Sequence, residues 1–410
     1  MNSKKDVKLF FATLGWFLAP SIYFLVRAQF ISISGANINI LGQLEWFDLI
    51  DEILITCLTI PMYSLLKNST PRQNFKVLTI LFSIYLVFAI FVSIYMNTLT
   101  EFMHAENATR YLLLQTISLL ISFISTIMIT LFILNSKYLV LIILIVIKLV
   151  GLGICDAIFI PKFQEYGASY SEILIHTIIA IAAIIIGFKL NILDIKKNQT
   201  NDINKITVKS WVKVGFWGGV QIFLDNFIYF LIIMRMVNAV EESGNYWMAN
   251  NFIYGWLLVP VTALCEIIKK NNYEKLTFKN TWIFCLGIVG LWLITLPFWK
   301  PFINHALAMD AALILPIILP LTVFYLAYIV CVVIDSFFIS KGKTYFLAII
   351  SAVVNIIYYG IMYILFLNDV FTLGLSFIIC LFGFGIVVHM ICAIILYIIF
   401  QHKAKNTVLL

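Results

Sequence analysis

The stretch Leu41–Leu54, LGQLEWFDLIDEIL, places Glu45, Asp48, Asp51 and Glu52 inside an otherwise apolar run. An ionised side chain near the centre of a bilayer costs about 2.5–3.5 kcal/mol, so four acids there need either counter-charges or a task. On a helix turning 100° per residue, Glu45, Asp48 and Glu52 share an arc of about 60°, and Asp51 widens the acidic face to about 120°. At a rise of 1.5 Å per residue they make a vertical ladder about 10 Å long. Crowded carboxylates away from water oppose one another's ionisation, which is the behaviour a proton-coupling site requires. The same acids suit an organic cation or sodium, and competition of two ligands for one charge links two fluxes in an antiporter. Trp46 and Phe47 lie among these acids; they are read as lipid contacts in preference to a cation–π wall.

Other polar groups sit deep in apolar runs. Arg27 and Lys148 are the basic ones, Arg27 at a depth near Glu45 and Asp48 and Lys148 near Glu52. Ion pairing of these two with the ladder is the structural alternative, but four acids face two bases, and Asp156 widens the imbalance. Further along, Asp225 has Gln221 one turn away on the same helical face, and Asn250 and Asn251 lie together in a later run. Glu266, beside Lys269 and Lys270, reads as a helix-end ion pair, and His176 and His389 read as packing or hydrogen-bonding residues.

Several kinds of chemistry find no support. The seven cysteines (Cys57, Cys155, Cys265, Cys285, Cys331, Cys380 and Cys392) all lie in apolar runs without CxxC or zinc spacing, so they are read as packing residues with no metal or redox role. The GKT at Gly342–Thr344 has Phe337 where a phosphate-binding loop needs glycine. No His, Ser or acid set clusters at a membrane interface, so the chain is not read as an enzyme, and no cofactor is expected beyond Na+ or H+ as a coupling ion.

The elements that must carry these residues follow from composition. Of 410 residues, 62% are hydrophobic and 11% charged, and the mean hydropathy is +1.03. These values lie outside the range of a soluble domain and specify a polytopic membrane protein. Runs of the required length, roughly 20 residues for a 30 Å core, predict twelve spans: 9–33, 39–66, 77–97, 110–134, 138–160, 170–192, 211–236, 246–268, 281–299, 311–339, 345–367 and 372–400. With both termini in the cytoplasm, 21 of the 27 Lys and Arg residues fall at inner ends, as the positive-inside rule demands. The net charge of +7 is therefore read as orientation in the membrane and not as affinity for nucleic acid.

The longest polar break, LDIKKNQTNDINKITVK, separates spans six and seven. The chain thus divides into a bundle at 1–192, a cytoplasmic linker at 193–210 and a second bundle at 211–410. Six spans per half make any repeat a parallel one about the membrane normal. NSKY at Asn135–Tyr138 and SKGKTY at Ser340–Tyr345 support it, since ten residues beyond each tyrosine stand Lys148 and Asn355.

With Pro20 in LGWFLAPSIYFL, the long link before VKVGFWGGVQIFLDNF, MANNFIYGWLLVPVTAL and SKGKTYFLAIISAVVNIIYYGIMYIL, the chain resembles the multidrug and toxic compound extrusion (MATE) family. That family lies within the multidrug, oligosaccharidyl-lipid and polysaccharide flippase superfamily. The resemblance implies an all-α fold of about twelve transmembrane helices in two six-helix bundles related by a parallel pseudo-two-fold repeat. It also implies alternating-access export of amphipathic, cationic small molecules from a bacterial plasma membrane, by a monomer, against inward proton or sodium flow. The family's cation-binding acid in span seven matches Asp225, its span-ten acid and tyrosine match Asp335 and Tyr328, and its intramembrane asparagine matches Asn355. Lys148 replaces the equivalent asparagine in span five, and span one carries Arg27 and no acid. A lipid-linked saccharide flippase of the same superfamily is the alternative, disfavoured because the intramembrane balance is acidic.

Overall fold

The computed structural model describes residues 4–408 apart from 37–39, 42, 104, 196–207, 235, 238–239, 241–242, 272, 275, 277–280, 308 and 369. Described residues are helical with no strand. They form two compact units, Lys8–Trp211 and Met1–Val7 with Val212–Leu410. Most of the predicted linker, residues 196–207, lies outside the described residues.

The first unit is built from α1 (Lys4–Ser34) from Lys8 onward, its first turn belonging to the second unit, with α2 (Leu44–Leu65), α3 (Pro71–Phe102), α4 (Thr109–Leu134), α5 (Tyr138–Phe163) and α6 (Glu165–Lys189). Thr70 starts α3 through a reciprocal capping box with Gln73, ahead of Pro71 at the first helical position. Between α5 and α6 there is no loop beyond Gln164, whose φ is +53°. Gly167 lets the next turn lie against the Phe159 carbonyl, where a Cβ would collide with backbone. Span six therefore begins five residues earlier than the apolar run implies.

The second unit contains α7 (Val208–Ile228), α8 (Ser243–Phe252), α9 (Val259–Asn271), α10 (Ile283–Pro301), α11 (Ala311–Ser340), α12 (Tyr345–Ala352), α13 (Gly360–Leu367) and α14 (Leu375–Val408). π-helical segments follow α7 at Tyr229–Met234, join α8 to α9 at Ile253–Leu257, follow α10 at Phe302–Ala306 and join α12 to α13 at Val353–Tyr359. The stretch containing α8 and α9 bends by 49° where the wider π turn meets Pro260, which has no N–H to give.

Nine described helices are long and apolar enough to cross a bilayer, ten with the bent α8–α9 pair counted as one span. Helix α2, with its four acids, and α7 occupy the remaining predicted span positions. The chain is an integral membrane protein of all-α class, and its helices answer to the twelve predicted spans.

Within each unit one pairing recurs. Lys8 sits 5.4 Å from the Tyr138 ring, Gly15 abuts Ile145, the Tyr23 hydroxyl donates to the Leu152 carbonyl at 3.1 Å, and Arg27 reaches Asp156. Contacts that climb both helices together mean α1 and α5 run in the same direction. In the second unit Thr344 donates to the Val214 carbonyl at 2.7 Å, Ser351 to the Gln221 carbonyl at 3.2 Å and Asn355 to Asp225 at 2.6 Å. The sequence separation is about 130 residues throughout, so the first and fifth spans of each half pair in one register, the arrangement a parallel repeat requires.

Candidate functional site

In the first unit Arg27 is the centre of the intramembrane charge. Its Nε donates to Asp156 Oδ2 at 2.7 Å, and its Nη1 ion-pairs with Glu172 on α6. The Tyr23 hydroxyl also donates to Asp156. Lys148 stands with its Nζ 4.9 Å from the centre of the Trp16 ring and feels the charges of both Glu172 and Arg27. Two bases thus meet two acids. His176 on α6 hydrogen-bonds Ser118 of α4 at 3.2 Å.

This bears on the alternative of ion pairing with the ladder. The described ion pairs of Arg27 are with Asp156 and Glu172, and Lys148 lies against Trp16. The reason is which helices are neighbours: α1 lies along α5 and reaches α6. Sequence reading noted Asp156 as surplus and overlooked Glu172, whose signal was a single acid in the apolar run SEILIHTIIAIAAIII.

The acidic ladder divides by the rotation of α2. Phe47, Asp51, Leu58 and Met62 are all buried and lie within about 60° of one another around the axis, so Asp51 shares the packed face. There it accepts a hydrogen bond from the Tyr85 hydroxyl of α3. Asp48 and Glu52 are exposed, and Glu45 is helical, its side chain outside the described set. Phe47, read as a lipid contact, instead packs in a core with Ile40, Val92, Met96, Ala108, Tyr111 and Leu112; Trp46 is partly buried beside it and donates to Gln43 at 2.9 Å.

In the second unit Asp225 is the convergence point. Its Oδ1 accepts from the Ser351 hydroxyl and from Asn355 Nδ2, both at 2.6 Å, and Gln221 Nε2 lies 3.4 Å from Oδ2. Asn355 also donates to Ser351 at 3.0 Å. The π-helical turn of Val353–Tyr359 carries Asn355, the kind of local widening that recurs at functional positions. Asp225 feels the charges of Asp335 and His389, and His389 Nε2 lies 3.0 Å from Asp335 Oδ2. The other Asp335 oxygen is buried without a hydrogen-bond partner among the described residues.

Beside these acids stand Tyr254, Tyr325 and Tyr328, with ring centroids 5.4–6.4 Å apart and edge-to-face. Tyr328 is within the field of Asp335 but not hydrogen-bonded to it. Asn250 turns to the Tyr229 hydroxyl at 3.0 Å, while its neighbour Asn251 is exposed. Among the predicted polar residues, Asp225, Gln221, Asn355 and Asp335 are brought together. Ser351, four residues before Asn355 and so on its helical face, was the member that sequence reading left out, and His389, read as a packing or hydrogen-bonding residue, hydrogen-bonds Asp335. Glu266 pairs with Lys269 at 2.8 Å as expected, whereas Lys270 pairs with Asp6 of α1.

Solved structures resemble the chain along nearly its whole length. The bent form of the Vibrio cholerae MATE transporter VcmN superposes with a TM-score of 0.80 at 16% identity, over 98% of this chain and 97% of that one. The chain has the fold of the MATE transporters. An outward-facing multidrug resistance MATE transporter of the MOP superfamily gives 0.75 at 15% identity over 98% and 97% of the two chains. A Pyrococcus furiosus MOP superfamily transporter, described as having a binding pocket of reversed polarity that suggests a different function, gives 0.77 at 15% over 98% and 96%. No family model and no curated protein matches the chain. The MATE fold accounts for span pairing in both units.

Proposed function

We propose that the protein is a secondary active transporter that exports amphipathic, cationic small molecules across a cell membrane by alternating access, coupled to inward proton or sodium flow. The observation that carries this reading is the environment of Asp225. A half-buried carboxylate is held by neutral donors from Gln221, Ser351 and Asn355, with no Lys or Arg ion pair to it among the described residues. A carboxylate oriented but not neutralised by its own chain is suited to an exchangeable cation.

The first unit contrasts with this. Arg27 and Lys148 stand where they offset Asp156 and Glu172, so that cluster holds its positive charges covalently and serves better as a structural brace. Coupling is therefore assigned to the second unit, with the tyrosines beside Asp335 offering cation–π faces to a lipophilic cation. Commitment of Arg27 to two carboxylates also removes the group that a pyrophosphate-carrying flippase substrate would need.

The test is transport in proteoliposomes with imposed proton or sodium gradients, comparing wild type, Asp48→Asn and Asp225→Asn. Efflux of a test cation should follow one gradient in wild type, persist in Asp48→Asn and vanish in Asp225→Asn. Failure of every gradient to drive any cation from wild-type vesicles would sink the proposal.

A further inference from the structure

Three titratable side chains from three helices lie within one another's electrostatic reach inside the second unit: Asp225 of α7, Asp335 of α11 and His389 of α14. His389 Nε2 is 3.0 Å from Asp335 Oδ2, its charge is felt at both acids, and its side chain remains 20% exposed. The other Asp335 oxygen, Oδ1, is buried and without a hydrogen-bond partner among the described residues. Around the three lie Tyr328 and Cys331 from α11, Cys392 from α14, Cys265 from α9 and Tyr359 from the π-helical turn. None of these carries positive charge; Lys269, whose charge Cys265 also feels, is paired with Glu266, and no Lys or Arg pairs with the cluster among the described residues.

We propose that His389 is the proton carrier of the exchange site. An organic cation settling against Asp225 and Asp335 expels the proton of His389 to water, and a proton arriving at His389 expels the cation. This rests on the export reading above and narrows its coupling ion to H+. The charge count gives the reason. With imidazolium present, the two carboxylates and His389 sum to one negative charge. With neutral imidazole and one bound monovalent cation, the sum is again one negative charge. Both loaded states thus present the same net charge to the bilayer; the empty cluster carries two negative charges, which a low-dielectric interior penalises, and imidazolium and bound cation oppose each other as like charges in one site. Exchange is then one proton for one monovalent cation, driven by a pH difference and indifferent to membrane potential. Sodium is a poor fit for the His389 corner, since hard cations take oxygen ligands.

The experiment uses the full chain in detergent with tetraphenylphosphonium as probe, and a pH dye in weak buffer to count protons released on binding. Wild-type affinity should rise with pH between about 5 and 8, by as much as tenfold per unit on the acid side, as expected for one competing proton. Binding should release protons in that range. In His389→Gln, with His389→Asn as the substitute if the former does not fold, binding should persist while both the pH slope and the proton release disappear. His389→Arg, with a permanent charge, should bind the probe weakly at every pH. Survival of the slope and the proton release in a folded His389→Gln or His389→Asn protein would overturn the assignment. Wild-type efflux driven by sodium and unresponsive to a pH difference would also overturn it while leaving export standing; absence of any gradient-driven efflux would remove both.

Discussion

Arg27 is the residue whose replacement should cost most in stability. It offsets Asp156, which is fully buried, and Glu172 at once, and removal of one partner from a buried ion pair leaves an uncompensated charge that costs about 3–5 kcal/mol. Arg27→Gln should therefore unfold at markedly lower temperature in detergent. Adding Glu172→Gln should recover part of the loss, because the two sites share one interaction and their effects are not additive. A thermal melt of the four proteins in that cycle checks both statements. Asp225→Asn should behave oppositely: its carboxylate is held by neutral donors, so melting should change little while coupled transport is lost. The family resemblance made Asp225 and Asp335 legible as cation-site candidates. It could not separate a carboxylate that is neutralised from one that is not, because Arg27 lies 129 residues from Asp156.

Among the elements, α2 shows how a helix's rotation decides what its charges do. The ladder was visible as a pattern, yet the apolar residues Phe47, Leu58 and Met62 turn Asp51 toward Tyr85 and leave Asp48 and Glu52 exposed. Tyr85→Phe should cost about 1–3 kcal/mol through the unsatisfied Asp51 oxygen, measurable by melting, without altering coupling. The bend between α8 and α9 and the close approach of α14 belong to the same scale. Any side chain at Gly385 would collide with the Tyr359 ring, and any at Gly383 with the Phe324 ring. Gly385→Leu is therefore expected to destabilise by about 1–3 kcal/mol through overpacking. Pro260→Ala should straighten the 49° bend by restoring an N–H donor; its effect should appear in transport rate before it appears in melting temperature. The prolines were readable as bend candidates, but the π-helical turns were not, since no single residue type marks them in the sequence.

For the whole molecule, the positive-inside bias leads us to expect twelve crossings with both ends on one side. Single cysteines introduced at Lys5 and Lys403 should both be labelled by an impermeant thiol reagent only from the inner face, and labelling of either from outside would break the topology. The identical register of α1 with α5 and of α7 with α12, about 130 residues apart in each half, gives the faint NSKY and SKGKTY likeness a physical basis: both motifs begin the fifth span of a half. What the sequence determined by itself was what local composition can encode: the all-α membrane class and the number of spans. Tertiary structure decided which charges cancel. Lys148 and Asn355 occupy matching positions, yet one stands against Trp16 beside a balanced cluster, and the other holds Asp225 in place. Electrostatic energy between charges depends on distance through space, and only packing of helices remote in sequence sets that distance.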